Sequence, residues 1–489
     1  MLKSVEYSAA FFFTFLLLNV SCDDKTPSQA RMAGKADIYP DYCCITIPVN
    51  IAPLNFSIND SADEYLVRFY SGANYEFYVK SGSGKITIPE KKWESLLNQC
   101  KGGKMLIDVY FRDDGQWYRN EPIVNHVAAD SIDSYVAYRK IEPGYETWNK
   151  MGIFQRNLES FNESAVMINE MSDGNCMNCH SFPANNSGTM LLHIRAKHGG
   201  TVIARNGKIV KVNTKTDSTI SAGVYPAWHP GGRYIAFSVN QIVQSFHALP
   251  TRKIEVIDTI SDLILYDSEL NRVIKDPLLS TASYETFPSW SPDGRHLYFC
   301  SADYHDYKDF QKIRYNLLRI EFDAITEKFG KTDTVVSAAK DGYSISFPRI
   351  SPDGRFLLFC KTQYGNFTIW HDDSDLALLD LETGLTVIPD INSNKTESYH
   401  TWSSNGRWIV FSSRRDDGLY TRLYFSYFDQ SGVLHKPFML PQRDPGHNTA
   451  LLKSYNVPEL VKSRIQLDPR ILTPVIKSDA VQSTFKINR

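Results

Sequence analysis

Four stretches of the chain are one motif written four times: YPAWHPGGRYIAFS (225–238), FPSWSPDGRHLYFCS (287–301), FPRISPDGRFLLFCK (347–361) and YHTWSSNGRWIVFSS (399–413). A repeat constrains architecture more than any single motif, because each unit must bury its apolar face against a neighbour of the same kind. Each copy reads as a strand, a tight turn and a second strand with alternating apolar residues. In Ser-Pro-Asp-Gly, Pro presets the first turn position and Gly supplies the left-handed residue that re-enters the second strand. The arginines that follow the turns, Arg233, Arg295, Arg355 and Arg407, lie 62, 60 and 52 residues apart. That exceeds the roughly 40–50 residues of compact propeller blades. The surplus is expected in loops and in outer hairpins such as SDLILYDSELNRVI and DLALLDLETGLTVI.

These repeats resemble those of the TolB-type six-bladed β-propeller, which carry the same P-x-W-S-P-D-G-x-x-I-x-F-S pattern. The resemblance spans about residues 189–445 and implies a propeller over 189–450, with six blades favoured over five or seven. The hairpin at 190–213 is expected to serve as a degenerate first blade, and the segment after Leu434 to close the ring, with 451–489 as a tail packed on the propeller. Cys300 and Cys360 occupy the position of Ser238 and Ser412 in the other copies, which asks for a small buried residue rather than a ligand. Upstream, residues 46–125 read as short strands broken by Gly, Asn, Asp and Ser, and predict an immunoglobulin-like β-sandwich. Cys43, Cys44 and Cys100 in that region could form one disulfide. Residues 126–188 are expected to be a connector. The fold class is therefore all-β.

Lys+Arg number 53 and Asp+Glu 55, without a run of five like charges, so nucleic acid is not an expected partner. The N-terminal MLKSVEYSAAFFFTFLLLNVSC has a basic residue, an apolar run too short to span a bilayer, and a cysteine directly after it. Leu18, Val20 and Ser21 before Cys22 resemble a bacterial lipobox. The resemblance implies a signal peptide at 1–21, lipidation of Cys22, a polar tether over 22–45 and a place in the cell envelope, anchored to the outer membrane by lipid alone. Such a compartment permits both disulfides and covalent haem.

The chemistry concentrates in DGNCMNCHSF (173–182), where Cys176, Cys179 and His180 stand as C-x-x-C-H. In c-type haem the two thiols bond the porphyrin vinyl groups and the following histidine reaches the iron. With 8 Cys and 12 His in the chain, chance supplies this pattern about 0.003 times. A redox dithiol would need a βαβ context, a zinc site further ligands at recognisable spacing, and a Cys176–Cys179 disulfide closes too short a loop to stabilise much. Haem c leads. For the sixth iron position the candidates are Met190 and His193, on opposite faces of one expected strand, and Arg195 is a candidate partner for a haem propionate. Arg414 and Arg415 read as a solvated loop, and His229, His305, His371 and His400 as structural or surface residues rather than channel groups.

Together with LPQRDP (440–445), these features resemble a family of Bacteroidetes lipoproteins that pair a haem motif with a propeller. The chain is thus expected to be an envelope-anchored monohaem cytochrome that exchanges electrons with a protein partner. The alternative is a TolB-like module that binds a protein, peptide or glycan, with a structural Cys pair. No G-x-S-x-G, H-E-x-x-H or Walker A pattern supports a hydrolase, which leaves a haem peroxidase as the enzymatic option.

Overall fold

The computed structural model describes residues 26–72, 75–142, 150–247 and 252–488. Six sheets of at least four strands follow one another along the chain from Tyr135. Their innermost strands are Ser454–Val461, Met177–Ser181, Val224–Trp228, Tyr284–Trp290, Ser344–Ile350 and Glu397–Trp402. Each touches the next, and Glu397–Trp402 and Met177–Ser181 both touch Ser454–Val461, so the ring closes with six blades. The chain is an all-β propeller.

The first blade joins distant parts of the sequence. Its outer three strands are Tyr135–Ile141, Met151–Asn157 and Glu163–Ile168, and its innermost strand comes from Ser454–Val461, antiparallel to Tyr135–Ile141. The propeller therefore begins at 135 and not at 189, and residues 126–188 are not a connector: they supply most of one blade and the innermost strand of the next. The hairpin at 190–213 is the outer part of that second blade, not a first blade. Beyond the closing strand, the helix Pro469–Lys477 packs on Lys208–Asn213. Val481–Gln482 and Thr484–Ile487 then add parallel edge strands to the second and third blades.

Every innermost strand carries the same irregularity. Cys179, Tyr225, Phe287, Phe347, Tyr399 and Val457 all have φ between +39° and +56°, and each sits where the register with the next strand shifts. A bulge of this kind re-aims a side chain out of the ladder. It also exposes a periodicity that crosses the cysteine motif: Cys-His-Ser-Phe (179–182) stands in register with Tyr-Pro-Ala-Trp, Phe-Pro-Ser-Trp, Phe-Pro-Arg-Ile, Tyr-His-Thr-Trp and Val-Pro-Glu-Leu. Neighbouring blades are bolted through the last residue of this unit. The indole N–H of Trp228 donates to the Ser181 carbonyl, that of Trp290 to Ala227 and that of Trp402 to Arg349, at 3.4, 3.1 and 3.1 Å.

The N-terminal region has a seven-stranded mixed sheet and a three-stranded sheet, and adds a helix absent from the sandwich expectation. Glu90–Cys100 buries Trp93, Leu96, Leu97 and Cys100, the i, i+3, i+4, i+7 face of an amphipathic helix. It rests on the strands Gly103–Asp113 and Ile123–Val127. Cys43, Cys44 and Cys100 are all unbridged. The late LPQRDP stretch serves as a seam: Asn55 Nδ2 donates to the carbonyls of Gln442 and Arg443, and Arg156 Nη2 to that of Pro441. Among the described residues no helix is long and apolar enough to cross a membrane. Cys22 lies outside the described residues.

Candidate functional site

The six bulge residues surround an axial cavity of about 360 Å³, within the range of about 300–1,000 Å³ for ligand and cofactor sites. Because inner and second strands are antiparallel, the start of each inner strand and the segment following each second strand lie at the same end. That end adds Cys176, Arg195, Phe367, Ile369, Trp370, Arg414 and Ser454 to the wall. The long hairpin of the third blade, Tyr234–Phe246 with Ile254–Asp267, contributes Ile242, Gln244, Ile254 and Val256 from beyond the blade body.

Cys176, Cys179 and His180 all line this cavity. The bulge at Cys179 brings its thiol to the axis, and the two cysteines are half-buried and unbridged. Burial pushes the Cys179 thiol above its ordinary pKa, with the Tyr225 backbone and Arg195 opposing the shift. The Cys176 carbonyl accepts the Arg195 N–H at 2.9 Å, which ties the first cysteine to the end of the next strand.

His180 is the anomaly of the site. It is 1% exposed, and neither Nδ1 nor Nε2 has a hydrogen-bond partner. The backbone of Val457 and of Ala137 lies nearby without closing a hydrogen bond. Burial, reinforced by Arg139, lowers its pKa to about 3, so the imidazole is neutral and its lone pair available. Asn178 Oδ1 and Arg139 Nε, on the same wall, are also buried without partners. Buried polar groups are almost always paired. Four unpartnered atoms gather on this one wall of the cavity.

The other expected ligands are elsewhere. Met190 and His193 are on Thr189–Ile194, the second strand from the axis, and neither lines the cavity. Met190 is part of an apolar core between the first two blades, and His193 Nδ1 lies 3.3 Å from Thr201 Oγ1. Both side chains are buried in the packing of the blade, so neither is placed to ligate a group held in the cavity. The methionine that does line the cavity is Met151, whose Sδ accepts the Met177 N–H at 3.3 Å. Nothing in the local sequence singled it out, since its strand belongs to a blade closed by the far end of the chain. Arg195 does line the cavity. Arg414, read as a solvated loop residue, is 2% exposed and on the wall.

His229, His305, His371 and His400 do not line the cavity. His400 Nε2 is 2.9 Å from the Leu358 carbonyl, and His229 Nε2 is 3.1 Å from that of Gly294. His371 is paired with Glu255 at 2.9 Å, both buried, and Tyr364 OH donates to the same carboxylate. With Arg252 on Asp373 at 3.3 Å, this network fastens the long hairpin of the third blade onto the fifth. Cys300 and Cys360 are fully buried, with thiols raised by burial. Among the described residues no group of three or more His, Cys, Asp or Glu side chains is arranged to hold a metal ion by itself.

No family model and no curated protein matches the chain. Solved structures similar to it include an oligogalacturonate lyase in complex with manganese, at 10% identity, TM-score 0.35, with 64% of this chain and 74% of that one covered. A nidogen/laminin complex gives 11%, 0.34, 62% and 93%. Prolyl oligopeptidase B from Galerina marginata gives 11%, 0.36, 80% and 54%. At these scores the likenesses add no argument of their own; the β-propeller rests on the six sheets and the closed ring of inner strands.

Proposed function

We propose that the chain is a monohaem c-type cytochrome, in which the axial cavity of the propeller holds a haem bonded to Cys176 and Cys179, and that it passes single electrons to or from a protein partner. The observation that carries the reading is His180: a buried neutral imidazole with both nitrogens unpartnered, on the same wall as two unbridged thiols. The residues present fit the group. The two thiols supply the covalent bonds, His180 supplies a nitrogen donor, and the apolar collar of Tyr225, Phe287, Phe347 and Val457 excludes water around it. When bound, the haem supplies a one-electron couple, which the side chains of this site lack. The chain's part is positional: the bulge aims Cys179, the Arg195 amide holds Cys176, and burial keeps His180 unprotonated. The blades act as a rigid frame, and lipid at Cys22 would keep the protein at the outer membrane.

Co-expression with a c-type maturation system, followed by a haem stain on a denaturing gel and an alkaline pyridine spectrum, tests the reading. Covalent haem in the wild type, lost in Cys176→Ser/Cys179→Ser, is the expected result. A wild type that carries no covalent haem under those conditions overturns it. The partner-binding module then becomes the reading to pursue.

A further inference from the structure

The cavity wall carries more positive charge than it neutralises. Its charged residues are Arg139, Arg195, Arg349, Arg414 and Glu142. Glu142 is paired outward with Lys453 at 3.6 Å, and Arg349 with Glu459 at 3.2 Å. Arg139, Arg195 and Arg414 have no carboxylate partner among the described residues. Of the three, Arg414 is buried, Arg139 half-buried and Arg195 exposed at the cavity mouth; a buried cation without a counter-ion is costly, and a ligand that supplies the charge removes that cost.

Arg414 is the most developed of the three. Its Nε donates to the Ile369 carbonyl at 3.1 Å and its Nη1 to that of Leu419. Its guanidinium lies 3.5 Å from the centroid of the Trp370 ring. The two acids nearest it are committed elsewhere: Asp372 to Lys395 at 2.8 Å, and Asp417 to the amides of Leu419 and Tyr420. A planar cation held by carbonyls and an aromatic plate, with no acid opposite, is built to meet a carboxylate from the cavity side. Arg139 adds a second guanidinium on the wall of the first blade, with a buried unpartnered Nε and its Nη1 on the Met177 carbonyl at 3.4 Å.

We propose that Arg139 and Arg414, with Arg195, form a carboxylate-recognition site inside the axial cavity, for a ligand that bears two acid groups. This rests on the haem reading where the acids are the two propionates of the covalently held porphyrin; the same chemistry would also accept a free dicarboxylic acid. In either case the acid groups face the end of the channel where the strap hairpin and the Trp370 segment lie.

The test uses the full-length chain with Cys176→Ser/Cys179→Ser, so that no covalent haem competes. The probes are iron-free protoporphyrin IX, its dimethyl ester, and glutarate. The expected result is that the diacid binds at least 10-fold more tightly than the ester, read by porphyrin fluorescence. Arg139→Gln/Arg414→Gln abolishes that preference, and Arg470→Gln, on the exposed helix start, retains it. Since Arg414 is buried in the rim, Arg139→Gln alone is the second variant and should reduce the preference several-fold with an unchanged melting temperature. If glutarate raises the melting temperature of the Arg139/Arg414-intact protein while neither porphyrin binds, the acid is a free one and the site stands. If diacid and ester bind equally and glutarate causes no shift, the proposal is overturned. A wild type without covalent haem but with the diacid preference defeats the cytochrome reading and leaves this one intact.

Discussion

His180 and His400 occupy the same position of the innermost strand in two different blades, and only one of them is hydrogen-bonded. His400 reaches the Leu358 carbonyl at 2.9 Å, whereas neither ring nitrogen of His180 closes a hydrogen bond on the nearby backbone of Val457 and Ala137. Four of the six blades place Pro there, at 226, 288, 348 and 458. The fold therefore does not require a histidine at this point, and the unpaired one is the one beside two thiols. The comparison yields a prediction. In haem-free Cys176→Ser/Cys179→Ser protein, His180→Leu should leave the urea midpoint unchanged or raise it, because it removes an unsatisfied buried group. His400→Leu should cost about 1–2 kcal/mol through the lost hydrogen bond. Equal losses from both substitutions would mean that His180 is satisfied in solution.

The turn glycines are not equivalent. Gly294 and Gly354 have φ of +72° and +79°, but a Cβ on Gly294 would come within 2.3 Å of His229 Nε2, while one on Gly354 would come no closer than 3.7 Å, to Pro292. Both Ala substitutions incur the left-handed backbone penalty of about 1–2 kcal/mol. Gly294→Ala should cost about 1–3 kcal/mol more, since it also displaces His229. Thermal melts of the two variants, with Gly294→Ala/His229→Ala as the rescue, check this.

Glu285 makes stability depend on pH. It is buried, and burial raises its pKa to about 7, a shift that Thr281 partly opposes through its hydroxyl and amide. Between pH 4.5 and 7 the folded protein keeps a proton that the unfolded chain has lost. This contribution is therefore complete below about pH 4.5 and is lost as pH rises through 7. Relative to Glu285→Gln, the wild type should lose on the order of 3 kcal/mol across that interval and change little above it. Urea melts of both proteins at pH 4.5, 6 and 8 measure the difference; parallel curves would refute it.

Closure of the ring depends on Ser454–Val461. This strand is the innermost of the first blade, touches the inner strands of the second and sixth blades, and buries Tyr455, Leu460 and Val461. Truncation after Lys453 should abolish cooperative unfolding of the whole propeller, because the first blade loses its innermost strand and its neighbours lose their contact. Truncation after Lys477 removes only the two added edge strands and should lower the melting temperature by a few degrees. Circular dichroism melts separate the two outcomes.

The hairpin strap gives a local prediction. Arg252 meets Asp373, Gln363 and Tyr364 across a blade boundary, and Glu255 takes bonds from Tyr364 and His371. Arg252→Ala/Tyr364→Phe should speed amide exchange at Ile254 to Ile257 by at least about 10-fold while exchange in Phe356–Thr362 is unchanged, since loss of a latch lowers local and not global stability.

The four repeat copies were enough to establish blades, because Pro-Asp-Gly turns and alternating strands are local features whose physics a short window contains. C-x-x-C-H is likewise a local pattern, and its residue types and spacing carry the haem reading proposed above. What the local pattern could not supply is which strand faces the axis. Alternation separates the two faces of a strand, but in a propeller both faces are covered by adjacent blades, so Met190 and His193 were on opposite faces and equally remote from the cavity. Pairing between strands and the position along each strand decide together: Met190 and His193 on the second strand of one blade are away from the cavity, while Arg139 on the second strand and Met151 on the third strand of another line it. Cys-His-Ser-Phe held a legible signal in its register with Tyr-Pro-Ala-Trp, masked because Cys replaces the aromatic residue and Phe the Trp. Arg414 looked solvated because its sequence neighbours are charged, while the groups that bury it, Ile369, Trp370 and Leu419, come together only in the folded rim. The sequence by itself determined the repeating unit and the Cys-x-x-Cys-His pattern. The closed ring, which pairs Tyr135–Ile141 with Ser454–Val461, alone decided that Cys176, Cys179 and His180 share one cavity with Arg139, Arg195 and Arg414.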